Sequence, residues 1–275
     1  TEDLLDVATT FYKRLFSYEQ KPDIHLDEDF WDEGDMISEE EKESLEKPFS
    51  EEEIKKAIMS SYAGRAPGPD GLSFIFYQTF WELIKNDFMW MVRDFENGAL
   101  DIYKLNYAII TLIPKKEVPL TPNDFTPISL LNGVLKIITK LLANRLQRVI
   151  LQMVHINQYG FLKGRTIQDC LAWAYHYIHQ CHASGREIIL LKLDFAKAFD
   201  TIEHEPMLQI MKHMGFDDRW LGWINCLFST TKSSVLLNGT LGRQFFCLHG
   251  VRQRDPLSPL IFVLAADFLQ AAFND

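Results

Sequence analysis

The sequence lacks the features that would direct it to a membrane or to secretion. Its apolar runs are short and broken by charge, and none approaches the roughly 20 residues that a membrane helix needs. The first residues, Thr1-Glu2-Asp3, are acidic, so neither a signal peptide nor a transit peptide is visible. Cysteine is scarce, and no pair has metal-finger spacing. We therefore expect no membrane partner and read the four cysteines as core thiols in a reducing compartment: Cys170, Cys181, Cys226 and Cys247.

The chain also lacks the positive net charge that is typical of proteins that bind nucleic acids. Its 275 residues carry a net charge of −10, but the acidic residues are concentrated at one end. Residues 1–60 hold 19 acidic and 7 basic side chains, whereas residues 101–165 hold 3 acidic and 9 basic ones. The middle of the chain, with its charge of +6, is therefore the candidate phosphate-binding region.

Periodicity and capping signals predict mainly helices, joined by a linker and one rigid loop. We expect an amphipathic helix over residues 1–20 with Leu4, Leu5, Val7, Phe11, Leu15 and Phe16 on one side. An acidic linker over 21–47 follows, and then a helix that the capping box of Ser50 and Glu53 begins and that ends near Met59. The loop 66–71, Ala-Pro-Gly-Pro-Asp-Gly, is too rich in proline and glycine for helix or strand. Further helices are predicted over 73–84, 134–153, 206–214 and 217–229, and from Ser258 onward.

Four segments have strand patterns. Residues 106–113 are rich in β-branched and aromatic side chains and end at Pro114. Residues 187–193 form a short apolar run that is typical of a buried strand. Residues 233–237 and 243–248 flank Asn238-Gly239, which predicts a hairpin with a tight turn.

The strongest chemical feature is Asp194, at the carboxyl end of the predicted buried strand. A buried carboxylate is costly unless it is paired or bound to a metal, and Mg²⁺ prefers oxygen ligands. Asp194 is therefore a candidate metal ligand, with Asp200 nearby. The alternative is that one of these aspartates caps the next turn or helix.

Other polar features are individually weak. Lys115 follows a predicted strand, where a lysine can reach a phosphate, but such lysines are usually solvated. The segment from Gly250 to Pro259 reads alone as a polar loop before a helix. Along the helix 134–153 one face either contacts a nucleic-acid backbone or is simply solvated; it carries Lys136, Lys140, Asn144, Arg148 and Gln152.

Taken in order, these segments resemble the reverse transcriptases of non-LTR (LINE-type) retrotransposons, especially those of plant genomes. The resemblance extends from about residue 50 to residue 275 without a gap. It is carried by the segments 66–71 (Ala-Pro-Gly-Pro-Asp-Gly), 112–115 (Leu-Ile-Pro-Lys), 127–130 (Pro-Ile-Ser-Leu), 140–146 (Lys-Leu-Leu-Ala-Asn-Arg-Leu), 157–165 (Asn-Gln-Tyr-Gly-Phe-Leu-Lys-Gly-Arg), 192–200 (Lys-Leu-Asp through Ala-Phe-Asp) and 253–259, with Gln253 and Asp-Pro-Leu-Ser-Pro.

The resemblance implies an α+β, right-hand polymerase fold. Residues 1–49 would be an acidic N-terminal helix and linker, 50–185 helical fingers, and 186–275 an incomplete palm with an antiparallel sheet. The implied partners are an RNA template, a DNA primer and a deoxynucleoside triphosphate. Two Mg²⁺ ions would activate the primer hydroxyl and stabilise the leaving pyrophosphate. The resemblance places the protein inside the cell, in the nucleus or the cytoplasm.

The resemblance also implies roles for individual residues. Asp194 would be the first catalytic, metal-binding carboxylate, with the Phe195 carbonyl as a helper ligand. Phe199 would be the aromatic gate against a ribonucleotide hydroxyl, and Gln253 and Lys115 would contact the incoming nucleotide. Asp200 would be structural. Nucleic-acid contacts would come from the basic residues Lys136, Lys140, Arg148, Lys163 and Arg165.

Three departures from the family pattern predict that this chain is an inactive fragment. The family's Tyr-x-Asp-Asp motif would follow Asp275, so the remaining metal-binding carboxylates are missing. Thr126 replaces an arginine that would grip the triphosphate. Arg254 replaces a glycine, so it strains the loop, blocks the pocket or points to solvent.

Three hypotheses follow: an inactive reverse-transcriptase fragment, a non-catalytic module that binds RNA or an RNA–DNA duplex, or a pseudogene product without selected function. Without a neighbour, the palm strand 187–193 would also favour self-association and low solubility.

Overall fold

A mixed β-sheet joins distant parts of the chain. The computed structural model describes residues 2–17, 30, 36–64 and 66–272. Strand β1 (Tyr107–Pro114) pairs antiparallel with β2 (Phe125–Leu131) and parallel with β3 (Lys232–Leu237). Strands β4 (Thr240–Leu241) and β5 (Phe245–Phe246) both pair antiparallel with β3. The sheet therefore combines strands from the predicted fingers and the predicted palm, and it is not purely antiparallel as we had expected.

Helices surround this sheet and contribute most of the apolar core. A short 3₁₀ helix, Pro122–Asp124, precedes β2. The α-helices in chain order are α1 (Glu2–Leu15), α2 (Glu39–Glu46), α3 (Glu51–Met59), α4 (Phe74–Thr79), α5 (Trp81–Glu96), α6 (Ile102–Leu105), α7 (Gly133–Met153), α8 (Ile167–Ala183), α9 (His204–His213), α10 (Asp218–Ser229) and α11 (Ser258–Ala272).

Signals that act within a few residues predicted several of these helices, but α6, α8 and most of α5 were not predicted. The capping box of Ser50 and Glu53 is formed in both directions, and α3 ends at Met59 as expected. Gly215, with φ of +90°, follows the end of α9, and α11 begins at Ser258. Part of the predicted linker is instead helix α2, which begins at a second capping box, Ser38 with Glu41. Residues 21–29 and 31–35 of that linker lie outside the described residues.

Helix α1 covers one face of the sheet. Its buried Tyr12, together with Phe16, packs in a cluster with Ile110, Val235 and Phe245. The predicted helix is confirmed over Glu2–Leu15, and residues 18–20 lie outside the described part of the chain. The predicted apolar side was partly wrong, since Leu4 and Val7 are exposed while Ala8 and Tyr12 are buried. Leu5 and Phe16 of the predicted side are buried as expected, and Phe11 and Leu15 are half-buried.

Helix α7 is buried on most of its circumference. The buried Arg145 forms a 2.9 Å ion pair with Glu53 at the start of α3 and donates hydrogen bonds to the carbonyls of Leu45, Lys47 and Pro48. These bonds satisfy backbone acceptors just after α2 and so fix the α2–α3 connection on α7. Lys136, expected on a polar face, is also buried. The polar stripe is therefore not a continuous surface.

The predicted buried strand 187–193 was wrong. These residues have no regular secondary structure, and Ile189, Leu190 and Leu191 are exposed, Ile189 by 98%. A strand needs a neighbour to pair its backbone groups, and within the described residues β1 and β3 pair with each other instead. An apolar run therefore remains on the surface before Asp194.

The other strand predictions had mixed outcomes. Residues 106–113 became β1, and Asn238-Gly239 forms the two-residue turn between β3 and β4, with both residues at positive φ. Strand β2 was not recognised from the sequence because Pro127 interrupts its pattern. Its position at the edge of the sheet is where a proline is tolerated.

The proline- and glycine-rich loop 66–71 is confirmed as irregular, and it docks on the start of α7. Asp70 Oδ2 accepts a hydrogen bond from the Gly133 backbone N–H at 3.0 Å, and the Asp70 N–H donates to Asn132 Oδ1 at 3.1 Å. A Cβ atom at Gly68 would lie closer than 3.0 Å to the Leu131 carbonyl and to the Asn132 nitrogen. Only glycine allows this close approach of two backbones.

Arg254 has a backbone conformation that favours glycine. Its φ is +76°, in the left-handed region, and its side chain is exposed. This position lies in the loop that joins Gln253 to α11. The expected strain is therefore present in the backbone, where a side chain costs about 1 kcal/mol or more.

We expect Gly68→Ala to lower the free energy of unfolding by about 1–3 kcal/mol, since rigid backbone must move to make room. Urea unfolding followed by circular dichroism measures this change. Gly222→Ala is the control, because Gly222 is exposed within α10 and has nothing within 4 Å of an added Cβ. That substitution should raise stability by up to about 1 kcal/mol. Equal effects of the two changes would contradict the docking of this loop.

We expect Arg254→Gly to raise the free energy of unfolding by up to about 1 kcal/mol, because strain is relieved at the cost of added chain entropy. The matched control is Arg243→Gly between β4 and β5. Arg243 is exposed and is not among the described residues with positive φ. The control should be neutral or destabilising in thermal melts, and a loss of stability in Arg254→Gly would show that the loop is not strained.

Candidate nucleotide and nucleic-acid site

A buried amide, that of Asn106, joins the elements around the candidate site. Asn106 precedes β1, and its Nδ2 donates to the Leu227 carbonyl and to Thr230 Oγ1, both at 2.7 Å. The Lys232 N–H donates to the Asn106 carbonyl at 3.1 Å, which begins the β1–β3 pairing. One side chain thus ties the end of α10 to the start of two strands.

Arg252 also bonds to the Asn106 junction, and its bonds fix the position of the adjacent Gln253. Its guanidinium donates to Asn106 Oδ1, to the Asn106 carbonyl at 3.0 Å and to the Lys232 carbonyl at 3.3 Å. A planar guanidinium with several fixed donors suits such a set of oxygens. Neither Asn106 nor Arg252 was predicted as a site residue, because no pattern in the sequence connects the two.

Gln253 meets Asp200 across two adjacent segments. Gln253 Nε2 donates to Asp200 Oδ1 at 3.1 Å and lies 3.4 Å from Oδ2. The backbone pairs beside this contact, with the Val251 N–H donating to the Phe199 carbonyl and the Gly250 N–H to the Ile202 carbonyl. A Cβ at Gly250 would lie 2.6 Å from the Asp200 carbonyl, so glycine permits the contact.

Basic groups surround the Asp200 carboxyl. Burial raises the pKa of Asp200, while Gln253, Lys197, Lys115 and His249 favour the ionised form. Burial also lowers the pKa of Lys197, whose ammonium lies 4.6 Å from the centre of the Phe11 ring. Lys115 is exposed beyond β1, and its Nζ donates to the Asn123 carbonyl at 3.3 Å. The structure thus groups Lys115, Asp200 and Gln253, three residues that are far apart in the sequence.

His204 also contacts the backbone at Gly250. Its ring stacks on Phe228 with centroids 4.2 Å apart, and its Nε2 lies 2.8 Å from the Gly250 carbonyl. Burial lowers the pKa of His204 to about 4, so the imidazole is neutral near pH 7 and its Nε2–H donates to that carbonyl. Sequence patterns gave no indication of this role.

Phe199, the predicted aromatic gate, lies in an aromatic group. Its ring stacks with Phe262 at 5.0 Å between centroids and meets Phe161 edge-on at 5.9 Å. Phe262 lies on α11, whereas Phe161, at φ of +61°, lies in the loop after α7. Phe199 and Gln253 are thus on the same pair of adjoining segments.

Asp194 and Phe195, the predicted metal ligands, are placed differently from expectation. Both are exposed, in the irregular segment that follows 187–193 rather than at the end of a buried strand. Within the described ranges, no group of three or more histidine, cysteine, aspartate or glutamate side chains could hold a metal ion. The described residues therefore supply one candidate carboxylate and not a complete cation site.

The predicted nucleic-acid contacts fall into two groups. Arg148 and Lys163 are exposed, whereas Lys136 is buried and Lys140 donates to Ser61 Oγ at 2.9 Å. Arg165 donates to the carbonyls of Leu151, His155 and Gln158 and so holds the loop that follows α7. The exposed pair can reach solvent, although Arg148 also lies 3.9 Å from Glu53 Oε1, while the other three make contacts within the fold or lie in its interior.

The described helices include none with the length and apolar character needed to cross a bilayer.

Comparisons with known proteins agree with the resemblance of the motifs. The family model described as "Reverse transcriptase (RNA-dependent DNA polymerase)" matches residues 113–275, more than half of the chain. The "Transposon TX1 uncharacterized 149 kDa protein" of Xenopus laevis is 31% identical over 268 residues, which are 97% of this chain and 20% of that protein. A "Retrovirus-related Pol polyprotein from type-1 retrotransposable element R2" of Nasonia vitripennis is 27% identical over 82% of this chain and 21% of its own length.

A third relative is named for its chemistry. The "Probable RNA-directed DNA polymerase from transposon BS" of Drosophila melanogaster is 24% identical over 80% of this chain and 25% of its own length. The chain spans about a fifth to a quarter of these three relatives. The grouped residues of the site and these matches lead to one conclusion: the chain belongs to the reverse transcriptase (RNA-dependent DNA polymerase) family and is a reverse-transcriptase domain of the non-LTR retrotransposon type.

Proposed function

We propose that this domain takes part in copying an RNA template into DNA, and that residues 1–275 alone bind the substrates but do not turn them over. The supporting observation is the hydrogen bond from Gln253 to the buried Asp200 carboxyl, whose pKa is also influenced by the charge of Lys115. Two of these residues match family positions for nucleotide contact. The division into fingers over 50–185 and palm from 186 remains part of the proposal, as do the plant-type origin and the intracellular location.

The need for Mg²⁺ ligands limits what residues 1–275 can do alone. Enzymes of this family use Mg²⁺, which would be bound by several carboxylates and the substrate phosphates. Of the described residues, Asp194 fits as one ligand, but no cluster of metal ligands accompanies it. Thr126 also offers a hydroxyl where a bidentate arginine would bind a triphosphate more strongly. We therefore assign binding, and no catalytic step, to these residues.

The exposed apolar segment before Asp194 supports association with another polypeptide. Ile189, Leu190 and Leu191 have exposed side chains, and within the described part of the chain their backbone is in no sheet, so a strand from another polypeptide, including a second copy of the chain, could pair with it.

Primer extension tests the catalytic part of the proposal. With an RNA template, a DNA primer, Mg²⁺ and all four deoxynucleotides, incorporation by residues 1–275 should not exceed that of Asp194→Asn. An exposed carboxylate elsewhere, Asp101, provides the control variant Asp101→Asn. Incorporation that Asp194→Asn abolishes and Asp101→Asn preserves would show that the chain is active by itself.

Binding of nucleic acid is the second candidate function, favoured by the exposure of Arg148 and Lys163. Affinity for an RNA–DNA duplex in a filter-binding assay should fall as salt rises, because counterions are released from the phosphates. Arg148→Glu with Lys163→Glu should weaken binding about tenfold or more and reduce the salt slope by about two. Lys56→Glu with Lys212→Glu makes the same charge change at exposed positions of α3 and α9 and should leave binding nearly intact. Equal losses in both double variants would refute a specific surface.

A further inference from the structure

A cavity of about 560 Å³ lies beside the C-terminal half of helix α1. Phe11, Arg14 and Leu15 of α1 line one side, and residues between 197 and 208, the C-terminal part of α10 and residues 248–249 line the rest. Pockets that bind small organic molecules usually measure about 300–1,000 Å³. The residues that we assign to nucleotide contact do not line this cavity, so its ligand would be a molecule other than the nucleotide.

Most of the lining of this cavity is apolar and comes from several elements. Phe11 and Leu15 belong to α1, Leu208 to α9 and Phe228 to α10. Leu248 follows β5 and is 49% exposed, so a ligand that covers it removes apolar surface from water. Two phenyl rings and three leucines favour a flat, apolar body, because aromatic rings gain from contact with other rings beyond the area that they bury.

Lys197 supplies a partly desolvated positive charge to the cavity. Its ammonium lies 4.6 Å from the centre of the Phe11 ring, and both residues line the cavity. Lys197 is half-buried, and burial lowers its pKa although Asp200 favours the charged form. The charge of Asp200 therefore does not fully replace the water that the ammonium has lost. An anionic group on a ligand would be stabilised at this ammonium, and Arg14 adds a second positive charge in the same cavity.

Two carboxylates also line the cavity, and neither neutralises Lys197. The charges that affect the pKa of Lys197 are those of Asp200 and Lys115, not those of Glu203 or Glu205. Glu205 is exposed on α9, where water and salt screen its charge. A cationic ligand would have to approach the half-buried ammonium, whereas an anionic ligand pairs with it. The charge distribution therefore favours an anion.

We propose that this cavity binds an aromatic acid, a molecule with a flat body of fused or linked rings and a single negative charge. The rings contact Phe11, Phe228 and the leucines, and the acid group pairs with the Lys197 ammonium. The Lys197 carbonyl accepts a hydrogen bond from the Asp200 N–H at 2.7 Å, so the ligand joins α1 to the turn that carries Asp200. A bound acid thus holds α1 against that turn.

Two fluorescent probes that share their rings test this assignment. Anilinonaphthalenesulfonate carries one negative charge, and phenylnaphthylamine has the same rings without the sulfonate. In fluorescence titrations, Lys197→Met should weaken binding of the sulfonate by about tenfold, the effect of one hydrogen bond to a charged group, and leave binding of the uncharged probe unchanged. Methionine keeps the length and the apolar stem of the lysine. Equal effects of Lys197→Met on both probes, or no binding of either probe to the wild type, would overturn the inference.

The exposed apolar run before Asp194 is another surface to which such probes bind, so it provides the matched control. Lys192→Met makes the same change beside the exposed Ile189, Leu190 and Leu191. It should leave the affinity for both probes unchanged. A loss of sulfonate binding in Lys192→Met but not in Lys197→Met would place the probe on the exposed run and refute the cavity as its site.

Filling the cavity tests its shape separately from its charge. Asn225 lines the cavity from an exposed position on α10, so Asn225→Phe should fold and should weaken binding of both probes by about tenfold or more. Lys212→Phe adds the same ring at an exposed position of α9 that does not line the cavity, and it should bind both probes as the wild type does. Thermal melts show whether each variant is folded. Unchanged binding in folded Asn225→Phe would overturn the inference, and no nucleotide or nucleic acid is needed, so this outcome is independent of the proposed function.

Discussion

The hydrogen bonds of one buried side chain, Asn106, hold together the parts on which the site depends. The parallel pairing of β1 with β3 joins residues far apart in the chain, and it has its first contact at this asparagine. Leaving a buried amide without partners costs about 1–3 kcal/mol. The bonds of Asn106 to Leu227, Thr230 and Arg252 therefore disfavour other arrangements of α10 and the two strands. A parallel pair cannot be closed by a hairpin, and here a long connection carrying α7 to α10 returns the chain to β1.

The contacts of Asn106 position two further parts of the structure, the Gln253–Asp200 pair and the two faces of the sheet. Arg252 fixes the position of Gln253, which reaches Asp200, and α1 packs behind them on the face that carries Ile110. Alternation along β1 and β2 then puts Thr111, Ile113, Thr126 and Ile128 on the opposite face, where they are half-buried or exposed. Helix α1 thus supports the sheet from one side, and the described residues cover the face that carries Thr126 only in part.

The parts of this arrangement that the sequence predicted are those encoded within a few residues. The capping box at Ser50, the Asn238-Gly239 turn and the stop at Gly215 each depend on local backbone preferences, and all three formed. Helix α2 was missed because its capping box is followed by a single buried leucine, Leu45, in an acidic run. The strand at 187–193 failed for the opposite reason: its apolar pattern was strong, but a strand forms only when another strand pairs with it.

The site was predictable to the same degree. Motif order named Lys115, Phe199 and Gln253 as candidates, but nothing in the sequence indicated that Asp200 would face Gln253 or that Asn106 would link two strands. Such contacts join residues whose separation in the chain carries no pattern. Only the register of β1 with β3 and the close approach at Gly250 bring them together.

A count of charges in the sequence also overestimates how many basic side chains are available to nucleic acid, because some of them are bonded within the fold. The middle of the chain has a surplus of six positive charges, yet Arg145 is committed to Glu53 and to three carbonyls, and Arg165 to three more. Arginine suits this task because its planar fork satisfies several buried oxygens at once while its charge is balanced nearby. A phosphate competes poorly for a guanidinium that is already fully bonded. The proposed nucleic-acid surface therefore has fewer basic residues than the sequence suggests, and it consists of Lys163 and of Arg148, which also pairs with Glu53.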